Sequence, residues 1–73
     1  MIEVRLFATF REGRQKNTFL DADQFHVASE VLDYFHISYD EVSIYLINGR
    51  HSELDSPVKN GDVLAIFPPV GGG

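Results

Sequence analysis

The stretch Gly61-Asp62-Val63-Leu64-Ala65-Ile66-Phe67-Pro68-Pro69-Val70-Gly71-Gly72-Gly73 decides how the rest of the chain is read. Val63 to Phe67 is a short apolar run set off by the turn residues Asn60-Gly61-Asp62, which predicts a strand buried on both faces and central in its sheet. The segment beyond Phe67 cannot join a ladder, because Pro68 and Pro69 lack an N–H donor and the glycines gain little from being ordered. The prolines keep the base of this segment extended, and at about 3.1 to 3.5 Å per residue it reaches roughly 20 Å. The expectation is a body over residues 1–67 and a flexible, uncharged thread over residues 68–73.

Working back from that strand, Ile2, Val4, Leu6, Ala8 and Phe10 occupy every second position. This is the period of a half-buried strand, predicted over 2–10, with Phe7 turned away from the main core. The polar run Arg11 to Lys16 carries Gly13 and predicts a turn into a second strand over 17–20. Val27, Ala28, Val31, Leu32 and Phe35 then form one helical stripe, giving a helix over 27–36. Its start is poorly signed, since His26 stands near the N-cap where Ser, Thr or Asp is favoured. Val42, Ile44 and Leu46 alternate again, and Asn48-Gly49 is the dipeptide of a tight hairpin, so a strand over 42–47 should return through 50–53. One helix for one sheet is an α+β arrangement.

At 73 residues the chain has room for one small domain and none for a cleft between domains. Six Lys and Arg against eleven Asp and Glu leave a net charge of −5, which argues against nucleic acid and anionic membrane as partners. There is no cysteine, so disulfides, thiolate zinc sites and cysteine chemistry are excluded. Met1 to Arg5 alternates apolar and charged residues, unlike a signal peptide, and no apolar run approaches the ~20 residues of a membrane span. We expect a soluble, cytoplasmic protein.

Conventional chemistry is hard to place. His26, His36 and His51 have neither an i, i+4 pair nor a cysteine to complete a metal site, so none is expected. Arg11, Arg14 and Lys16 read as a solvated hairpin loop, and Asp21, Asp23, Asp40 and Glu41 as solvated turns. No Ser/His/Asp set or phosphate loop is present. The candidates left are the C-terminal thread and, at its root, Phe67 with Phe7, expected to form an apolar docking patch.

Three stretches, Val4-Arg5-Leu6-Phe7-Ala8, Ile47-Asn48-Gly49 and Gly61 to Gly73, together resemble the MoaD and ThiS family of ubiquitin-like sulfur carriers, most closely its molybdopterin synthase small subunits. The resemblance implies the β-grasp fold: a mixed sheet of four to five strands packed on one main helix. It also implies a carrier that is not itself an enzyme. Gly73, supported by Gly72, would be adenylated with ATP by an E1-like enzyme (MoeB/ThiF-like) and then thiocarboxylated. No cofactor would be bound by the carrier. Phe7, Phe67, Pro68, Pro69, Val70 and Gly71 would dock on a MoaE-like large subunit that receives the sulfur. Gly71 stands where the family often has a small residue with a side chain, which should loosen the tail. Pro68-Pro69-Val70 favours the molybdopterin branch over the thiamine thiazole branch; a carrier for another sulfur pathway, a ubiquitin-like protein modifier and a plain interaction module are the rival readings.

Overall fold

The computed structural model describes residues 1–69. Strands β1 (Ile2–Leu6), β2 (Asn17–Leu20), β3 (Ile44–Ile47), β4 (Arg50–His51) and β5 (Val63–Phe67) form one sheet in the order β2-β1-β5-β3-β4, with helix α1 (Ala28–Phe35) between β2 and β3. β5 lies parallel to β1, with Leu6 opposite Ile66, and antiparallel to β3, with Ile44 opposite Phe67. The last strand is therefore central, as its sequence implied. The mixed sheet with one helix is the β-grasp, ubiquitin-like fold.

The core lies between α1 and one sheet face. Ile2, Val4 and Leu6 from β1, Leu64 and Ile66 from β5, and Val31 and Leu32 from α1 are completely shielded from solvent. Val63, Ala65 and Phe67 are only half-buried, which corrects the expectation that β5 is buried on both faces. The helix covers one side, and the alternate residues of β5 stand on the other.

Strand one also stops short of its predicted end. Ala8 takes a φ of +54°, and residues Ala8–Arg11 form a 3-10 turn, so Ala8 is exposed while Phe10 is carried under into the core. The half-buried Arg14 departs from the solvated-loop reading. Its guanidinium donates to the carbonyls of Phe10 at 3.1 Å and Phe35 at 2.9 Å, tying this loop to the C-terminal end of α1. Arg11 and Lys16 remain exposed.

The weak N-cap of α1 is explained by distant partners. Ala28 and Ser29 N–H groups donate to the carbonyls of Ser56 and Leu54, each at 2.9 Å. The Glu30 carboxylate accepts from the N–H groups of His26 at 2.6 Å and Val27 at 3.2 Å. Orphan donors at a helix start need an acceptor, and here the chain just before β5 supplies two of them. At the other end His36 has φ +58°; its N–H reaches Asp33 O and the N–H of buried Ile37 reaches Leu32 O, the bonding pattern of a Schellman motif.

Candidate functional site

β1, β5 and β3 alternate, so the residues between the core positions line up on the uncovered sheet face: Phe7 just past β1, Val63, Ala65 and Phe67 on β5, and Ile44 and Leu46 on β3. Alternation alone suggests that Val42, Ile44 and Leu46 face the core; Val42, just before β3, does pack against it. The core residue of β3 is instead Tyr45, 5% exposed, whose hydroxyl donates to Ala28 O at 3.0 Å and fastens the sheet to the helix. Burial pushes the Tyr45 hydroxyl pKa upward, so it remains a donor throughout the physiological range. Ile44 and Leu46 mislead because a carbon-rich face turned to solvent has the same alternation as one turned to a core.

Phe7 and Phe67 meet on this open face with ring centroids 4.2 Å apart and planes inclined by 11°. Phe7 N–H donates to Ile66 O at 3.3 Å, and Ser43 N–H to Phe67 O at 2.9 Å, so backbone bonds hold the Phe67 end of β5 from both sides. Both rings are half-buried. A polar border lies toward β2: the Arg5 guanidinium contacts Glu3 Oε2 at 2.7 Å, and Asn17 Nδ2 donates to the same oxygen at 2.8 Å. Opposite charges along that border neutralise each other and leave the stacked pair as the patch's main feature.

Pro68 is buried and Pro69 is exposed, so the body extends one residue beyond the boundary drawn after Phe67. Val70, Gly71, Gly72 and Gly73 lie outside the described residues. Of the expected site, the structure thus brings Phe7, Phe67 and Pro68 to the root of the tail.

One connection was not anticipated. Asn48 of the β3–β4 turn donates through Nδ2 to Asp62 Oδ1 and accepts through Oδ1 from Val63 N–H, both at 2.9 Å. Asp62 Oδ2 accepts from Lys59 N–H at 2.8 Å. Two of the stretches that carry the resemblance, Ile47-Asn48-Gly49 and Gly61-Asp62-Val63, are therefore one bonded unit at the start of β5. An Asn and an Asp in separate turns signalled this in principle, but nothing local pairs them.

The ThiS family model matches residues 4–73 of the chain. This protein belongs to the ThiS family. SAMP1 from Haloferax volcanii is 30% identical with a TM-score of 0.77, the match covering 99% of this chain and 98% of that one. A second structure of that protein, described as small archaeal modifier protein 1, matches at 28% identity and a TM-score of 0.76, over 94% and 97% of the two chains. A complex of subunits 1 and 2 of the molybdopterin-converting factor from Helicobacter pylori matches at 27% identity and 0.65, over 99% and 97%. None of the curated proteins matches. As a ThiS-family, ubiquitin-like chain, the protein is a sulfur carrier or a modifier. No helix among the described residues is long and apolar enough to cross a membrane.

Proposed function

We propose that this ThiS-family protein is a sulfur carrier that works as the small subunit of a molybdopterin synthase. The observation that carries the reading is the Phe7–Phe67 stack at the root of the Pro68-Pro69-Val70-Gly71-Gly72-Gly73 segment. An apolar patch placed there lets a partner grip the body while the thread enters the partner's active site. The Helicobacter pylori complex, in which a similar chain is paired with a second subunit, supports a MoaE-like partner.

The chemistry is set by the terminal carboxylate. With a pKa of about 3.5 it is ionised near neutrality and is a poor electrophile. An E1-like enzyme would transfer AMP from ATP to the Gly73 carboxylate, releasing pyrophosphate. A sulfur donor would then displace AMP, leaving a thiocarboxylate. Because the chain has no cysteine, it has no persulfide of its own to offer, and the terminal carboxyl is the attachment point. Catalytic acids, bases and phosphate-binding cations would belong to the partners.

Intact mass tests this. Incubation with ATP, the activating enzyme and a sulfur source should add about 16 Da as sulfur replaces oxygen. No gain, with an enzyme shown to be active on another carrier, would sink the proposal. The likeness to an archaeal modifier favours one alternative, in which the activated Gly73 is attacked by a lysine amine to form an isopeptide bond. Conjugates that depend on Gly73 and resist thiols would support that reading.

A further inference from the structure

We propose that two copies of this chain pair edge to edge through β2, antiparallel about a two-fold axis at Phe19. β2 is an outer strand of the sheet. The direction of its backbone groups is fixed by its neighbours. Leu6 N–H donates to Lys16 O, whereas Glu3 and Phe7 N–H groups donate to Asp62 and Ile66 carbonyls beside and within β5. Even-numbered residues of β1 therefore bond toward β2, and odd-numbered ones toward β5. Ile2 faces Leu20 and Val4 faces Thr18, so Thr18 and Leu20 spend their backbone groups on β1. Asn17 and Phe19 direct theirs to the free edge, where Phe19 is also 61% exposed.

A free edge bearing a bare aromatic is a template for another strand. Chain order selects a second copy as its occupant. β2 is preceded by Lys16 and followed by Asp21-Ala22-Asp23. Antiparallel self-pairing therefore brings the cationic end of each strand to the anionic end of the other. Among the described residues, Lys16, Asp21 and Asp23 form no ion pair within the chain.

Backbone parity leaves few registers. With Phe19 opposite Phe19 of the second copy, the two residues exchange reciprocal N–H to carbonyl bonds. Their rings then cover one another, and Lys16 at the start of each strand comes to the end of the other, where the Asp21-Ala22-Asp23 turn follows Leu20. Sliding to the adjacent allowed register faces Asn17 with Phe19, or Phe19 with Asp21, and loses the aromatic pair. The contact uses the same patch on both copies, so it closes as a dimer instead of propagating. Because β2 has only four residues, association should be weak. The contact needs neither the tail nor the Phe7–Phe67 stack and stands independently of the carrier reading.

Single-cysteine trapping tests the register, since the natural chain has no competing thiol. A hydrogen-bonded pair places its Cα atoms about 5.5 Å apart, inside the disulfide range of about 4.4 to 6.8 Å. In this register the two Asn17 positions are four residues out of step, about 13 Å apart. With Phe19 kept, Asn17 of one copy faces Asp21 of the other, so an equimolar mixture of Asn17→Cys and Asp21→Cys chains should give mixed covalent dimer at least about tenfold faster than either variant alone or the remote Asp40→Cys; equal rates overturn the proposal. For the natural chain, sedimentation equilibrium up to about 1 mM should show a dimer. Lys16→Glu and Asp23→Lys should each weaken it about threefold to tenfold, with the double variant restoring it. A natural chain that stays monomeric, or a double variant no tighter than the singles, overturns the proposal and leaves the edge to another occupant or to solvent.

Discussion

The two faces of the sheet are built from the same strands and nearly the same kinds of side chain, yet they have different work. On β5, Leu64 and Ile66 are shielded completely by α1, while Val63, Ala65 and Phe67, one step away, are only half-covered. The first face turns apolar area into stability. In the proposed function the second keeps apolar area available for a partner, and Phe7 and Phe67, already stacked, would be spared part of the ordering cost of binding. Hydrophobicity alone does not separate them; the presence of a helix does.

The sharpest test sets one residue of each face against the other. Leu64→Ala should cost about 2 to 5 kcal/mol in denaturant unfolding, because it leaves a cavity that close neighbours cannot fill. Partner affinity, measured where the variant is still folded, should change less than about twofold, since Leu64 does not reach the open face. Phe67→Ala reverses the pattern. It should cost only about 1 to 2 kcal/mol of stability, losing the aromatic pair and partial burial, but weaken binding to a MoaE-like subunit by more than about tenfold in calorimetric titration. Parallel losses in both measurements would break the distinction between the faces.

Smaller effects probe how the covered face is kept closed. Tyr45→Phe keeps the ring and deletes only the bond to Ala28 O, so chemical unfolding should show a loss of about 0.5 to 1.5 kcal/mol with partner binding unchanged. The smallest effect concerns Glu30, whose carboxyl is held below its ordinary value of 4.5 by the N–H groups of His26 and Val27 at the start of α1. A carboxyl with a depressed folded pKa contributes stability above its unfolded value and loses it as pH falls through the folded value. The melting temperature should therefore fall more steeply below about pH 4.5 in the natural chain than in Glu30→Gln, the two converging in stronger acid. Parallel pH profiles would show that this cap carries no charge-dependent share of stability.

Much of this architecture was legible because local chemistry and tertiary demand agreed. Asn48 and Gly49 both take positive φ, +53° and +80°, as the hairpin dipeptide implied. The apolar stripe of α1 and the alternation of Ile2, Val4 and Leu6 name core residues correctly. Local pattern fails where the deciding interaction comes from elsewhere in the chain. The start of α1 is satisfied by Leu54 and Ser56, which no inspection of residues 24–30 reveals. Ala8 leaves strand geometry although nothing in its type asks for that. Tyr45 is hidden as a core residue because its flanking Ile44 and Leu46 carry the stronger apolar signal while facing outward. For the candidate site, Phe7 is found by alternation and Phe67 by its place at the root of the tail, whereas the remainder of the apolar patch requires knowing which side the helix covers.

The placement of β5 also has a mechanical meaning. The chain beyond Pro69 continues from a strand bonded laterally to β1 on one side and β3 on the other. A pull on that end acts along the strand axis and loads the bonds of both seams together instead of peeling them open in sequence. A partner that tugs on the carboxyl end would thus meet a strand clamped along both edges, one that resists being peeled from its sheet.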